Sequence, residues 1–277
     1  MRPTSNSPET AQRLAGLRVL ITRPAHQADA LCTRLAALGA EAIRFPTLSI
    51  RPTIETDPGY QNLKNCFLDL DRYRAVIFVS VNAAQIGYDW IDQYWPQLPV
   101  NTLWLAVGAA TGRTLQQLGL PVTIAQGAMN SEALLALPQL QQLSNDRVLI
   151  CRGHCGRELL EHDLQLRGAK VDYAELYHRE IPVYSQPEIE SIIYKSAPSV
   201  ILVSSGSALT NLVNLSRAAG SEASVFTDTP LVVPSQRVAT LAQQHHFNHI
   251  GVAANATDAA MTDALQALIA AQGRVEH

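Results

Sequence analysis

The feature that constrains this chain most is an internal repeat, in which three sequence blocks occur in order and then occur again in the same order. Residues 18–23 (RVLITR) recur as residues 147–152 (RVLICR), and residues 76–80 (VIFVS) recur as residues 200–204 (VILVS). A third block carries TLQQ in the first copy and TLAQ in the second. Because the spacing between the copies drifts only slightly, the two copies are expected to fold into equivalent structures.

Each block predicts a strand followed by a helix. Residues 19–22 form a short apolar run, typical of a strand that is buried on both faces. Leu31, Leu35 and Leu38 then recur at helical spacing, and Gly39 ends the helix. Because strands alternate with helices along both copies, the sequence predicts the α/β class with parallel sheets. About five strands per copy suffice for one small doubly wound domain.

Composition excludes several other classes of protein. The chain has 277 residues, of which 47% are hydrophobic, so it can build a core and is too apolar for a disordered protein. The formal net charge is −3 and the pI is 6.2, which argues against a nucleic-acid-binding protein. No apolar run reaches the ~18 residues of a membrane span, so we expect no membrane association.

The N-terminus and the cysteines indicate a cytoplasmic protein. Residues 1–16 have no apolar signal region and are predicted to form a flexible tail. Four cysteines in a chain of this length are no disulfide framework. Cys151 and Cys155 have the spacing of neither a redox pair nor a zinc pair, and the histidines of residues 245–249 (HHFNH) fall in a predicted surface turn. We therefore expect no metal site.

Two segments interrupt the alternation of strands and helices at equivalent points of the two copies. Residues 46–52 (PTLSIRP) and 176–182 (LYHREIP) are extended in character and bounded by proline. They are predicted to be interdomain connections that can lie side by side as a short ladder.

Polar residues with few carboxylates follow the predicted strands. In open α/β sheets, ligands bind beyond the carboxyl ends of the strands, and hydroxyls and N–H groups at helix starts bind anions. The alternative is ordinary helix capping, which favours the same residue types. Because these polar residues follow strands in both copies of the repeat, we predict a cleft for a ligand with several negative groups. The candidate binding residues are Arg23, Ser80, Asn82, Thr111, Ser131, Arg152, Ser204, Ser205, Gly206, Ser235 and Arg237.

Familiar catalytic signatures are missing from the sequence. It contains no G-x-G-x-x-G after a strand, no P-loop, no G-x-S-x-G elbow and no evident pair of catalytic carboxylates. An enzyme with these strand ends would act by positioning and hydrogen bonding.

Several segments in order resemble the uroporphyrinogen-III synthase family across residues 17–270. They are LRVLITRP, VIFVSVNAA, LAVGAAT, RVLICRG, AELYHREIP, VILVSSGSA and VVPSQRVATLAQ. The resemblance implies two flavodoxin-like α/β domains joined by a two-stranded linker ladder. Domain 1 would comprise residues 17–46 with 184–270 and domain 2 residues 53–176, with linkers at 47–52 and 177–183. Spacing alone suggests a cut between the copies near Ser144, and it cannot decide which blocks pack together.

The resemblance also implies a reaction. Members of the family cyclise hydroxymethylbilane, a linear tetrapyrrole with eight carboxylates, to uroporphyrinogen III in heme biosynthesis. Water is lost and ring D is inverted through a spiro intermediate. No metal or organic cofactor takes part. We expect a monomer that contacts the preceding enzyme of the pathway only transiently.

The catalytic residue implied by the resemblance is Tyr177, in the second linker, with its hydroxyl exposed in the cleft. Tyr173 and Tyr184 lie close to it in the sequence and are the alternatives. Thr111 matches a family threonine, and Ser235 stands where relatives carry threonine. Arg23 resembles an arginine that is common in the first loop of the family. Loops that contact carboxylates, partly through backbone N–H groups, are matched by Ser80, Asn82, Ser204, Ser205 and Gly206.

Two other function classes stay open from the residues alone. A two-domain module that binds or senses a small molecule without catalysis could share this architecture. A glycosyltransferase-like enzyme would need a carboxylate cluster at the strand ends, and none is visible in the sequence.

Overall fold

The structure is a computed structural model that describes residues 14–124, 131–155, 159–218 and 227–272. Its described residues divide into two compact units. Unit 1 is drawn from Met1–Ser49 and Glu180–His277, and unit 2 is the continuous segment Ile50–Arg179. The chain passes between the units twice, once after Ser49 and once after Arg179.

The described strands are β1 (Arg18–Ile21), β2 (Glu41–Arg44), β3 (Ser49–Pro52), β4 (Tyr73–Phe78), β5 (Leu103–Ala106), β6 (Thr123–Ile124), β7 (Arg147–Gly153), β8 (Lys170–Glu180), β9 (Val200–Leu202), β10 (Leu231–Val233) and β11 (Ile250–Val252). The described α-helices are α1 (Asp29–Ala37), α2 (Tyr60–Leu68), α3 (Val81–Tyr94), α4 (Ala109–Gln117), α5 (Ser131–Leu135), α6 (Leu159–Leu166), α7 (Gln186–Glu190), α8 (Gly206–Ala218), α9 (Gln236–Gln244) and α10 (Asp258–Gln272). Short 3₁₀ turns occupy Ala25–Gln27, Leu70–Arg72 and Pro138–Leu140, and a π-turn, Ser191–Lys195, follows α7.

The prediction of α/β structure with parallel sheets is confirmed. Unit 1 holds a five-stranded sheet in the order β11-β10-β9-β1-β2, and its neighbouring strands are parallel. Unit 2 holds a six-stranded sheet in the order β3-β8-β7-β4-β5-β6, in which β4 to β8 pair in parallel.

Each sheet combines strands from both copies of the repeat. The first strand of copy one pairs with a strand of copy two, with Val19 beside Val200. The converse pairing places Phe78 of copy one beside Cys151 of copy two. The spatial orders β2-β1-β9-β10-β11 and β8-β7-β4-β5-β6 are therefore the same arrangement, built twice by exchange of the first block.

Both faces of each sheet are covered by helices, as the continuous apolar strands predict. In unit 2, Phe78 of β4 packs with the core beneath α2, α3 and α4, whereas its neighbour Ile77 packs with the core beneath α5 and α6. In unit 1, Leu20 of β1 packs towards α8 and α9, and Ile21 packs towards α1 and α10. In the part of the chain that is described, no helix combines the length and apolarity needed to cross a membrane.

The predicted linkers are largely strand. Residues 49–52 form β3, and the sheet-forming part of the second segment reaches Glu180 because β8 is eleven residues long. The Thr53 N–H donates to the Leu176 carbonyl over 2.9 Å, and the Ser49 hydroxyl donates to the Glu180 carbonyl over 3.2 Å. This register is antiparallel. The two segments do lie side by side, but as the edge of the unit 2 sheet.

The last residues of the predicted N-terminal tail are part of the fold. Leu14 is only 1% exposed and packs with the core of unit 1, and its N–H donates to the Leu38 carbonyl over 3.0 Å. Residues 14–16 therefore belong to the fold. Residues 1–13 of the predicted tail lie outside the described residues.

Candidate functional site

Tyr177 lies inside strand β8 and is fully buried, whereas the sequence placed it in a linker with an exposed hydroxyl. A β-bulge explains its orientation. Arg152 of β7 pairs with Glu175, and the next residue, Gly153, pairs with Tyr177, so that Leu176 is skipped. Bulges re-aim side chains, and here both Leu176 and Tyr177 pack with the same core cluster of unit 2.

The ring of Tyr177 rests against the backbone of Gly153. A Cβ atom at Gly153 would lie 2.5 Å from Cε2 and 2.7 Å from Cζ of the ring, which is closer than real Cβ contacts allow. The backbone beside it is tied as well, because the His154 N–H donates to the Tyr177 carbonyl over 2.8 Å. Only glycine at position 153 leaves room for the ring where it stands.

The hydroxyl of Tyr177 contacts two polar side chains of unit 2. Its oxygen is 3.1 Å from the Ser80 hydroxyl oxygen, and Arg179 Nη2 donates to it over 3.4 Å. The guanidinium carbon of Arg179 also lies 5.9 Å from the ring centroid, within the range of a cation–π contact. A phenol held in this way can donate one hydrogen bond while it accepts another.

Ser80 is fixed by its place at the start of helix α3. Its backbone is extended, and its hydroxyl oxygen accepts the Ala83 N–H over 3.1 Å, which is N-capping. The helix-cap interpretation of Ser80 is therefore confirmed, and its role in binding a ligand stays a prediction.

Three further predicted residues of unit 2 lie in the first turns of helices. Asn82 lies half-buried in the first turn of α3, and Thr111 is only 4% exposed in the first turn of α4. Ser131 is the first residue of α5, and its side chain lies outside what the structure describes. Thr111 is thus covered rather than open, because α4 packs this turn against the core.

Arg152, predicted to bind a ligand, is held by the protein itself. Its Nη2 donates to Glu175 over 3.1 Å, and its guanidinium carbon lies 3.5 Å from the ring centroid of Tyr173. Burial raises the pKa of Glu175, but hydrogen bonds from His154 and Arg152 outweigh it, so the net pKa is lowered. The strand pairing of β7 with β8 brings this arginine and this carboxylate together.

Four predicted residues of unit 1 gather at the starts of two helices. Ser204, Ser205 and Gly206 lead from β9 into α8, and the Ser205 hydroxyl accepts the Ala208 N–H over 3.1 Å. Arg237 of α9 extends towards this loop, with Nη1 3.6 Å from where a Cβ of Gly206 would lie. Among the described residues, Arg237 has no carboxylate partner. This corner can offer a guanidinium and helix N–H groups to an anion.

The two other predicted residues of unit 1 differ in their contacts, since Arg23 is bound within the protein and Ser235 does not cap its helix. Arg23 forms an ion pair with Asp258 at the start of α10 and also donates to the Ala256 carbonyl. Ser235 stands before α9 with extended backbone, and its side chain makes no capping hydrogen bond.

A small cavity opens elsewhere in unit 2. It measures about 260 Å³, and Tyr177 is not among the residues that line it. The imidazole rings of His154 and His178 lie 5.1 Å apart beside it, and His154 Nδ1 is 2.8 Å from Glu175 Oε2. Across the described ranges, no three His, Cys, Asp or Glu side chains are placed to hold a metal ion. The sequence analysis did not identify this histidine pair.

Two residues beside Tyr177 were also missed. Arg179 follows Tyr177 by two positions in a strand, so strand periodicity alone could have placed them on one face. Gly153 had no such signal, because its contact with the ring depends on the register of β7 and β8 and on the bulge.

Comparison with known proteins identifies relatives of the whole chain. A family model described as uroporphyrinogen-III synthase HemD matches residues 29–263. The uroporphyrinogen-III synthase of Salmonella typhimurium is 32% identical over 256 residues, covering 90% of this chain and 100% of that protein. The Escherichia coli uroporphyrinogen-III synthase is 32% identical over 251 residues, with the same coverage.

Solved structures show the same fold. A mutant uroporphyrinogen III synthase from Thermus thermophilus superposes with a TM-score of 0.57 at 16% identity, covering 91% of this chain and 98% of that one. The uroporphyrinogen-III synthetase of Helicobacter pylori also gives 0.57, at 13% identity and with 91% and 99% coverage. The family model and the two bacterial relatives span most of the sequence, and the chain therefore belongs to the uroporphyrinogen-III synthase family.

Proposed function

We propose that this chain cyclises hydroxymethylbilane to uroporphyrinogen III, with loss of water and inversion of ring D. The observation that carries the proposal is the family match over residues 29–263, joined by relatives of that name at 32% identity over 90% of the chain. The placement of Tyr177 supports it, since its hydroxyl is held by two polar side chains and can serve as a proton source.

Most of the chemistry belongs to the substrate. Departure of the hydroxyl group as water leaves an azafulvene cation on ring A, and the substituted carbon of ring D attacks it. The resulting spiro intermediate opens, and ring D closes again in the turned orientation with loss of a proton. Without the protein, the bilane closes directly to the unturned isomer. The protein must therefore hold one conformation and donate a proton to the leaving hydroxyl.

We assign Tyr177 the role of that proton source. General-acid help of this kind is typically worth about 10²–10⁴-fold in rate. The lower half of the range applies here, because a hydroxymethyl pyrrole loses water readily. The helix starts of unit 1 with Arg237 and those of unit 2 with Asn82 supply N–H groups and polar side chains for substrate carboxylates.

The architecture that we propose for this activity is a pair of flavodoxin-like domains joined by the ladder of β3 and β8. The order β2-β1-β9-β10-β11, repeated as β8-β7-β4-β5-β6, is that of flavodoxin-like sheets and supports this reading. We further propose that the protein acts as a monomer in the cytoplasm, without metal or organic cofactor, and contacts the preceding enzyme transiently.

The decisive experiment is an assay on freshly prepared hydroxymethylbilane, with the two isomeric products separated by chromatography. We expect the turned isomer to dominate with the protein and the unturned isomer to dominate without it. A protein that binds the bilane but leaves only the unturned isomer would instead be the non-catalytic binding module.

A further inference from the structure

We propose that Ser80, Tyr177 and Arg179 form one hydrogen-bond relay, and that its outermost hydroxyl, that of Ser80, delivers the proton to the leaving group. The inference rests on the proposed function and deepens it. It assigns the contact with the substrate to Ser80, keeps Tyr177 as the proton source behind it, and adds Arg179 as a positioning residue.

Burial separates the three side chains. Tyr177 has no exposed surface, whereas Ser80 is half-buried and Arg179 is exposed. A phenol enclosed by the core cannot itself touch a ligand in this arrangement. Among the residues that the structure describes, the one hydroxyl within hydrogen-bond distance of it belongs to Ser80, whose oxygen is 3.1 Å away. A proton from Tyr177 therefore reaches a ligand through Ser80.

The donors and acceptors fix the direction of the relay. Arg179 has only donors, so over its 3.4 Å contact it donates and the Tyr177 oxygen accepts. That contact favours the arrangement in which the phenol proton points to Ser80. The Ser80 oxygen then accepts two hydrogen bonds, one from Tyr177 and one from the Ala83 N–H at 3.1 Å. Both of its lone pairs are engaged, and its own proton is left to point outwards.

The charge on Arg179 suits the state that follows proton transfer. Among the described residues, Arg179 forms no ion pair with a carboxylate, and its contacts are those with Tyr177. A guanidinium next to the phenol oxygen stabilises negative charge there, and hydrogen bonds aligned in one direction strengthen one another.

The proton step balances without any further reactant. As the carbon–oxygen bond of the substrate breaks, Ser80 gives its proton to the departing hydroxyl, which leaves as water. The proton of Tyr177 moves to Ser80, and the phenolate remains beside Arg179. When the last ring closes, the pyrrole carbon loses a proton, and this proton returns through Ser80 to Tyr177.

The test compares kcat, KM and isomer ratio for Ser80→Gly, Tyr177→Phe and the double variant. Glycine keeps most of the N-cap function but has no hydroxyl. We expect each single change to lower kcat by about 10²-fold with KM little changed. The double variant should be no slower than the worse single, because members of one relay are not additive. Ser80→Thr, which keeps the hydroxyl, should restore most of the rate.

Arg179 is tested by the same logic. Arg179→Met should lower kcat and shift product towards the unturned isomer in the wild-type background, and should change neither in the Tyr177→Phe background. Arg74→Met, at an exposed arginine of β4, is the matched control and should be silent, as should Ser185→Gly at the start of α7.

Two results would overturn the relay. Additive losses in the double variant would mean that Ser80 and Tyr177 act independently, and a Ser80→Gly effect on KM alone would mean that Ser80 binds a carboxylate. Failure of the proposed function itself has a different signature, since the wild-type protein would then form no turned isomer.

Discussion

The position of the Tyr177 ring depends most directly on Gly153, against whose backbone it lies. Gly153→Ala would put a methyl group 2.5 Å from the ring, so the ring must move. We expect a loss of activity that approaches that of Tyr177→Phe, together with destabilisation of about 1–3 kcal/mol from overpacking. Steady-state assays and thermal unfolding measure the two effects.

Gly87→Ala is the matched control, since its Cβ would lie 2.7 Å from the Phe78 ring in the same core cluster. It should lower the melting temperature without changing the isomer ratio. A Gly153→Ala protein with a normal isomer ratio would show that the ring position is unimportant.

Two substitutions of Tyr177 separate its contribution to stability from its contribution to catalysis. Tyr177→Phe keeps the buried ring and loses hydrogen bonds to partners that water can still reach, so it should cost only about 0.5–1.5 kcal/mol of unfolding free energy. Tyr177→Ala leaves a cavity and should cost about 3–5 kcal/mol. Melting temperatures of both variants check this order. A purely structural tyrosine would instead give a Tyr177→Phe protein of wild-type rate.

Part of the site could be read from the sequence and part could not. Ser80 and Tyr177 were identified by pattern and resemblance, because their residue types stand at recognisable points of the repeat. The burial of Tyr177 could not be foreseen. It follows from the bulge opposite Arg152 and Gly153, and a one-residue irregularity of pairing leaves no mark on apolar periodicity.

At the scale of elements, the pairing of β7 with β8 brings charged groups together at one end of the sheet. Glu175 of β8 meets Arg152 and His154, and their hydrogen bonds outweigh burial and lower the pKa of Glu175. A carboxyl whose pKa is lower in the folded state stabilises the fold above its unfolded pKa of about 4.3. That stabilisation is lost as the pH falls through the folded value.

Acid unfolding tests whether the hydrogen bonds of Glu175 stabilise the fold. We expect the melting temperature of the wild-type protein to fall below about pH 4.3 in part because Glu175 takes up a proton. Glu175→Gln should show a shallower fall over the same range, since the amide oxygen still accepts one of the two hydrogen bonds but does not titrate. Identical slopes for the two proteins would contradict a role of Glu175 in acid stability.

The elements themselves were largely predictable, but their partners were not. Strands such as β1 and β4 stand out as apolar runs because both of their faces are buried. The same property makes the strands alike, so the pattern cannot say whether β1 lies beside β4 or β9. The extended character of the two predicted linkers was recognisable for a related reason, but polar edge strands such as β3 resemble extended loops, so their place in the unit 2 sheet was not.

At the scale of the whole molecule, unit 2 is a continuous segment with its own sheet and a core on each face of it. The isolated segment Ile50–Arg179 is therefore expected to unfold cooperatively on its own. Circular dichroism during heating measures this.

The matched control is the first copy of the repeat, residues 14–144, which is of similar length. It contains β1 and β2 without β9, and β4 without β7, so it should show no cooperative transition. The reverse result would mean that the repeat, and not the exchanged unit, is the folding unit.

The exchange of blocks has a consequence for folding during synthesis. Strand β1 lies in the middle of its sheet, between β2 and β9, and Val19 pairs with Val200. Because β1 is made well before β9, it lacks this second neighbour until residues 200–202 have been synthesised. Unit 2 lies between β1 and β9 in the sequence, so all of its residues have been made before β9 is. We expect unit 2 to fold before unit 1 during translation, with β1 unpaired on the side of β9 until β9 has been made.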